Sequence, residues 1–214
     1  QYYNDCSSMY LDMSTVTRLG TIMCGRFTLK NKDKIKEIYD IDITPNYNVA
    51  PGSEVVVLAG GPQKMKWTYT PSWAKTPINI INARIETLDE KPSFKESKRC
   101  IFLTDGWYEW KRWFDWKRRE NNKTPYYHTI ENTIIHMAGI YNSSGCAIVT
   151  EESKGELKNI HHRQPVLLND EGIRLWLEGS DPNDNGIYKS INPYEVSTHV
   201  NSPKNNDSKC TEKK

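Results

Sequence analysis

Two hexapeptides in tandem constrain the fold of this 214-residue chain most: Trp107-Tyr108-Glu109-Trp110-Lys111-Arg112 and Trp113-Phe114-Asp115-Trp116-Lys117-Arg118. They match position by position in chemistry. The shift of six residues is even, so in a β-strand both copies turn corresponding side chains to the same face. The repeat reads as a local duplication that lengthens a hairpin. Around it, Glu54–Leu58, Cys100–Thr104, Thr133–Ala138 and Cys146–Thr150 are short, β-branched and bounded by turn residues, as buried strands are. Asn31 to Asp40 predicts a short helix with Ile35, Ile38 and Tyr39 on one face. Asp170 to Glu178 predicts a second, with Asp170 as N-cap, Ile173, Trp176 and Leu177 on one face and Gly179 as the stop. Several strands with two short helices make a single α+β domain dominated by sheet.

The length fits one full-sized domain. Only 36% of residues are apolar, but 7 Trp and 12 Tyr supply large rings that build a core from few residues. The net charge of +2 does not impose a polyanion partner, so any such site must come from local clustering. Cys6, Cys24, Cys100, Cys146 and Cys210 are odd in number and widely spaced, with no C-x-x-C pair. That pattern points away from zinc and from a disulfide framework, and towards a reducing, intracellular compartment. No apolar run reaches membrane-spanning length. Residues 1–22 are polar, Ser/Thr-rich and without an apolar h-region, and read as a disordered or non-native extension rather than a secretory signal. From Ser202 onward the chain reads as a polar tail.

Cys24 stands in Met23-Cys24-Gly25-Arg26-Phe27. Most lone cysteines are small buried hydrophobes. Its context adds another reading: if Met23 is an initiator and is trimmed, Cys24 carries both a free α-amine and a thiol. Unperturbed, these titrate near about 7.7–8 and 8.5, so both are partly nucleophilic near neutrality. Such a 1,2-aminothiol captures aldehydes. The amine forms an imine, and the thiolate closes a five-membered thiazolidine with the advantage of an intramolecular reaction. Three further segments carry candidate chemistry. Asn82-Ala83-Arg84-Ile85-Glu86-Thr87 is, alone, a strand end with solvated charges. Asp105-Gly106-Trp107-Tyr108-Glu109-Trp110 sets a carboxylate among rings, where desolvation raises its pKa as suits a general acid/base. Ile160-His161-His162-Arg163-Gln164-Pro165 places two histidines before a turn; in a strand they would face opposite ways, which argues against a metal site from the pair.

Taken together, these segments resemble the SRAP family, the SOS response-associated peptidases. The family pattern is Met-Cys-Gly-Arg, Asn-Ala-Arg-x-Glu-Thr, Gly-aromatic-Tyr/Phe-Glu-Trp and His-x-Arg-Met-Pro. Tyr47-Asn48-Val49-Ala50-Pro51, Pro71-Ser72-Trp73, Ala147-Ile148-Val149-Thr150 and Val196-Ser197…Val200-Asn201 add to the likeness, which runs from Met23 to about Asn201. The sequence departs from the pattern at His162, at Gln164, in Trp67-Thr68-Tyr69-Thr70-Pro71, which lacks a glycine, and in the second Trp-rich hexapeptide.

The resemblance implies a domain over residues 23–201, mainly antiparallel sheet with a barrel-like core and short peripheral helices. It implies an abasic-site sensor in the DNA damage response that binds single-stranded DNA and crosslinks to the sugar aldehyde. In that reading Cys24 supplies amine and thiol, Asn82 holds the amine or sugar, Glu109 shuttles protons, and His161 assists ring opening and reversal. Arg26 and Arg84 would contact phosphates. Pro51 and Trp73 would meet bases, with core packing as the alternative. The expected partner is single-stranded DNA with abasic sites. No cofactor, metal or membrane is called for, and the protein is expected to be a monomer in the cytoplasm or nucleoid, or in the nucleus of a eukaryote. An N-terminal-nucleophile (auto)peptidase and a non-covalent single-strand binder remain as alternatives. The cations of the repeat, interleaved with rings, read as a solvated face or as an extension of a DNA channel.

Overall fold

The computed structural model describes residues 24–214; the proposed extension, residues 1–22, lies outside the described residues. The first half of the chain forms β1 (Phe27–Leu29), α1 (Lys32–Tyr39), β2 (Asn46–Val49), β3 (Glu54–Leu58), β4 (Pro62–Lys66) and β5 (Asn82–Arg84). The central part is β6 (Lys98–Thr104), β7 (Gly106–Asp115), β8 (Glu120–Thr129), β9 (Ile135–Asn142) and β10 (Gly145–Glu152). Then come β11 (Arg163–Pro165), β12 (Leu167–Leu168), α2 (Asp170–Leu177) and β13 (Asn192–Glu195). The fold is α+β and mainly antiparallel.

The strands form two sheets. One has the order β13-β8-β7-β1-β2. The other follows β11-β10-β9-β6-β3-β4, with β12 beside β9 and β5 parallel to β10. The chain changes sheet at Asp105, between β6 and β7. Asp105 turns its carboxylate onto the backbone N–H groups of Lys30 and Asn31, and Thr104 donates its hydroxyl to the Thr28 and Gly106 carbonyls. This corner ends one ladder and starts another. The core expected to be barrel-like is therefore two separate sheets, and no closed barrel is found among the described residues.

Strand alternation distributes the core over three layers. Phe27, Trp107, Val57, Phe102 and Met137 pack together where the sheets face each other. Ile101, Ala138, Ile140 and Val149 point to the opposite face of the larger sheet, under α2. There the fully buried Trp176 donates Nε1–H to the Cys100 and Gly139 carbonyls at 3.0 and 3.1 Å. Tyr108 and Tyr127, on the outer face of the smaller sheet, meet Val196, Val200 and Cys210 from the C-terminal segment. The polar stretch after Ser202 thus folds back onto the sheet. Asn48 Nδ2 reaches the Ser202 and Asn205 carbonyls, and Cys210 is buried.

Both helices sit where their caps put them. Asn31 caps α1 by accepting from Lys34 N, and Asp40 ends it in the left-handed region at φ 53°. The cap of α2 is Asn169, which accepts from Gly172 N, rather than Asp170. An amide one residue upstream leaves Asp170 in the first turn, where its charge meets the helix dipole favourably. Ile38 and Leu177, expected on buried faces, are exposed, because each helix spans only eight residues and seats one or two side chains. The tandem repeat forms the β7–β8 hairpin, in register from Gly106↔Thr129 to Asp115↔Glu120.

Gly106 begins β7 between β1 and β8. A Cβ there would lie 2.4 Å from the His128 carbonyl oxygen and 2.7 Å from the Tyr127 ring. The backbone oxygen cannot move without breaking the ladder. Gly106→Ala is expected to cost about 1–3 kcal/mol in urea unfolding, the usual range for overpacking; unchanged stability would contradict this packing.

Candidate active site

The position of Cys24 follows from strand register. β1 pairs antiparallel with β7 as Phe27↔Trp107 and Thr28↔Gly106, and Tyr108 N donates to Arg26 O at 2.9 Å. Extended backwards, this register brings Cys24 level with the residues around Glu109. Glu109 shares the inward face of β7 with Trp107, two residues away. Glu109 Oε1 accepts from Cys24 N–H at 2.9 Å and from the Cys24 thiol at 2.8 Å. One carboxylate oxygen therefore holds both heteroatoms of the cysteine. Cys24 lies at φ 40°, in the left-handed region that non-glycine residues seldom occupy.

His161 arrives from the other sheet. A 3-10 turn at Gly155–Asn159 precedes it, and β11 follows against β10. Its Nδ1 lies 3.7 Å from Glu109 Oε2, too long for a hydrogen bond but close enough for a proton relay on small movement. Nδ1 also faces the backbone N–H and carbonyl of Arg163, at 3.2 and 3.1 Å. Among the described residues Nε2 has no hydrogen-bond partner, nor has Asn82 Nδ2, and both atoms are buried. His161 and His162 do not face opposite ways. They occupy a bend before β11, and their rings lie side by side with centroids 4.5 Å apart. Only His161 is buried.

Burial sets the electrostatics. Desolvation pushes the Glu109 carboxyl up to about 8, although the two Cys24 hydrogen bonds pull the other way. Desolvation, and then the neighbouring Glu109, raise the Cys24 thiol well above its usual range, while the Arg163 charge opposes them. Desolvation lowers His161. Near neutrality the resting centre is then a largely neutral acid, a thiol and a neutral imidazole. Glu109 Oε1 remains an acceptor, and Oε2 is free to carry the proton towards His161.

Two further residues, Arg163 and His128, contribute to the site. Arg163 forks onto Glu86 at 2.6 and 2.8 Å and donates to Thr150 O at 2.8 Å. It thereby locks the Asn82–Thr87 segment to the His161–Pro165 segment. The signal was there, as one unassigned acid and one unassigned base, each inside a motif. His128 sits opposite Trp107 on β8, stacked on it at 4.9 Å and 16°. Burial lowers it to about 4, and His161 is close enough to add to the shift. Nothing in the local sequence marked it.

The remaining candidates are dispersed. Asn82 pairs with Ile148 across β5 and β10, and no hydrogen bond joins it to Cys24, Glu109 or His161 among the described residues. Arg26 is half-buried, donating to Asn48 Oδ1 at 2.8 Å and Val200 O at 3.0 Å, with its guanidinium 5.9 Å from the Trp110 ring. Arg84 and Pro51 are exposed. Trp73 is 60% exposed, so core packing does not account for it.

The Glu109 shift has a consequence for stability. Its usual value is 4.5, so between about 4.5 and 8 the folded protein holds a proton that the unfolded chain releases. The Glu109 contribution to stability therefore falls as pH rises through that window and levels off outside it. The stability of the wild type in urea, measured relative to Glu109→Gln, is expected to fall from pH 5 to about 8, the raised Glu109 value. Equal pH dependence in the two proteins would contradict the shift.

Comparison with known proteins identifies the family. Residues 23–203 match the family model described as SOS response associated peptidase (SRAP). The chain is 35% identical to the abasic site processing protein YoqW of Bacillus subtilis, over 89% of this chain and 99% of that one. It is 32% identical to YedK of Escherichia coli, over 72% and 79%. It is 27% identical to HMCES of Pongo abelii, over 95% and 74%; both carry the same descriptive name. A crystal structure from Bacteroides thetaiotaomicron shares the fold, with a TM-score of 0.70 at 22% identity, over 89% of this chain and all of that one. The chain belongs to the SRAP family.

Proposed function

We propose that the protein is an abasic-site processing protein that captures the lesion covalently through Cys24. The observation that carries this reading is the pair of hydrogen bonds from Cys24 N and Sγ to a single Glu109 oxygen, with both residues buried. The names of the relatives supply the class of substrate. The chemistry supplies the rest. An abasic deoxyribose opens to an aldehyde at C1′. The Cys24 amine adds to it and water leaves as the imine forms; Sγ then adds to the same carbon. The new bonds are C–N and C–S, and the aldehyde oxygen departs as water with one hydrogen from the amine and one from the thiol. Glu109 touches both donor atoms, and its raised pKa suits it to take and return these protons near neutrality.

The other assignments come from the family resemblance. Among the described residues, Asn82 Nδ2 and His161 Nε2 are buried polar atoms without hydrogen-bond partners, which supports a ligand-binding role for both. Asn82 would hold the amine or the sugar oxygens, and His161 would relay protons for ring opening and reversal. Arg84 would meet phosphate, and Pro51 and Trp73 would meet bases beside the lesion. Arg26, already held by Asn48 and Val200, would orient the Cys24–Arg26 segment and contact phosphate with its remaining N–H groups.

The reaction requires Cys24 to be the first residue of the active protein, because an amide nitrogen does not condense with an aldehyde. This brings in a second reading, self-processing at the Met23–Cys24 bond. The φ of 40° at Cys24 favours it, since a strained residue there loses its constraint when the bond is cut. The thiol would attack the preceding carbonyl, the amine would be released, and water would hydrolyse the thioester.

Two outcomes are expected. Protein beginning at Cys24 forms an adduct with abasic single-stranded DNA that survives boiling in detergent. Cys24→Ala abolishes the adduct, while Cys100→Ala and Cys146→Ala retain it; equal crosslinking by all three would overturn the proposal. The 214-residue chain with its first 23 residues intact forms no such adduct, and mass spectrometry over time shows whether it converts itself to the Cys24 form. An uncleaved chain that crosslinks as fast would exclude the aminothiol mechanism.

A further inference from the structure

The second Trp-rich hexapeptide is not used by the chemistry above. In the structure it carries the β7–β8 hairpin outward from the site. β7 runs without a break from Gly106 through Glu109 to Asp115. Six residues separate Glu109 from the end of the strand, about 20 Å at ~3.3 Å per residue. Beyond it, Trp116-Lys117-Arg118-Arg119 forms the turn, fixed by Asp115 Oδ1 accepting from Lys117 N at 2.9 Å and Arg118 N at 3.2 Å.

The outer half of this hairpin is unlike the rest of the surface. Residues 111–123 contain six cations, Lys111, Arg112, Lys117, Arg118, Arg119 and Lys123, and two anions, Asp115 and Glu120. That is +4 in thirteen residues, against +2 for the whole chain, so the remainder sums to −2. Asp115 is occupied in the turn, and Glu120 accepts from Asn122 Nδ2 at 3.4 Å and lies 3.8 Å from Arg118. Three large rings lie among these charges. Trp116 is 83% exposed, and Trp113 and Phe114 are also exposed. Phe114 and Trp116 pack edge to face at 4.7 Å, which fixes the ring at the tip while leaving it bare. Trp113 is held by Nε1–H donating to Thr124 Oγ1 at 2.9 Å. Exposed rings of this size, interleaved with an excess of cations, are costly in water and suit a partner with flat faces and regular negative charge.

We propose that the outer β7–β8 hairpin is a second binding site for single-stranded DNA, in which Trp116 stacks on bases and Lys117, Arg118 and Arg119 bind phosphates. It rests on the single-strand reading of the central site and extends it. Continuity along β7 sets the geometry, with one strand of protein carrying Glu109 at one end and the basic-aromatic tip at the other. At the ~3.4 Å spacing of stacked nucleotides, the separation corresponds to roughly six nucleotides. The tip supplies affinity and holds flanking DNA; it takes no part in bond making.

Fluorescence anisotropy with an undamaged 25-nucleotide oligothymidine tests the proposal. Replacing Lys117, Arg118 and Arg119 together by alanine is expected to weaken binding at least tenfold and to lower the slope of log affinity against log salt by about 2, at roughly 0.7 per phosphate. Trp116→Ala is expected to weaken binding about 5-fold or more, with Trp116→Phe restoring most of it. The turn is solvent-exposed, and unchanged melting temperatures confirm that the variants fold. Affinity and salt slope unchanged in both alanine variants would overturn the proposal, as would failure of the wild type to bind. Equal loss of affinity for polyglutamate, with no effect of Trp116→Ala on DNA, would overturn it in favour of an acidic protein partner. Adduct formation on abasic DNA is measured separately at saturating DNA and is expected to be unaltered in the tip variants. If the wild type forms no adduct but the tip variants lose DNA affinity, the covalent reading fails and the second site stands.

Discussion

The structure turns on one carboxylate oxygen. Glu109 Oε1 receives the Cys24 N–H and the Cys24 thiol together. The contact exists because β1 pairs with β7 in a single register, and that register is held by the corner at Asp105 and by the close approach at Gly106. A slip of one residue would turn Glu109 to the other face of the sheet. Sheet topology thus sets Cys24, at the start of the domain, against Glu109 in its middle. The larger sheet then brings His161 to the far side of the same carboxylate.

Burial is what makes this contact chemically useful. An exposed glutamate would be ionised at neutrality and would serve only as a base. In this pocket desolvation holds the carboxyl near about 8, so it can both accept and return a proton. The same desolvation, with the neighbouring Glu109, raises the Cys24 thiol and favours its protonated form at rest. The Arg163–Glu86 ion pair spans the two motifs that flank the centre and holds their backbones in place.

Much of this was legible in the sequence. The turn-bounded β-branched runs became strands, the two helices appeared with Asn31, Asp40 and Gly179 at their ends, and the even-shifted repeat became a hairpin. The raised pKa of Glu109 followed from its aromatic neighbours. What was not legible depended on long-range pairing. The two-sheet arrangement hinges on a corner at Asp105 that no local pattern marks. Asn169 was hidden because Asp170, one residue later, is as good a capping type. The polar C-terminal stretch packs through few residues, Cys210 among them, too sparse to show periodicity. His128 acquires its place only by facing Trp107 across the ladder.

The central claim is that Cys24 is joined to the lesion through both of its heteroatoms. Peptide mapping of the purified adduct, after nuclease digestion of the DNA, tests it most directly. The account predicts a Cys24 peptide carrying the sugar remnant with the loss of one water, in which neither the α-amine nor the thiol reacts with alkylating reagents. A remnant on a lysine, on an internal cysteine, or on Cys24 with its thiol still free to alkylate would contradict it.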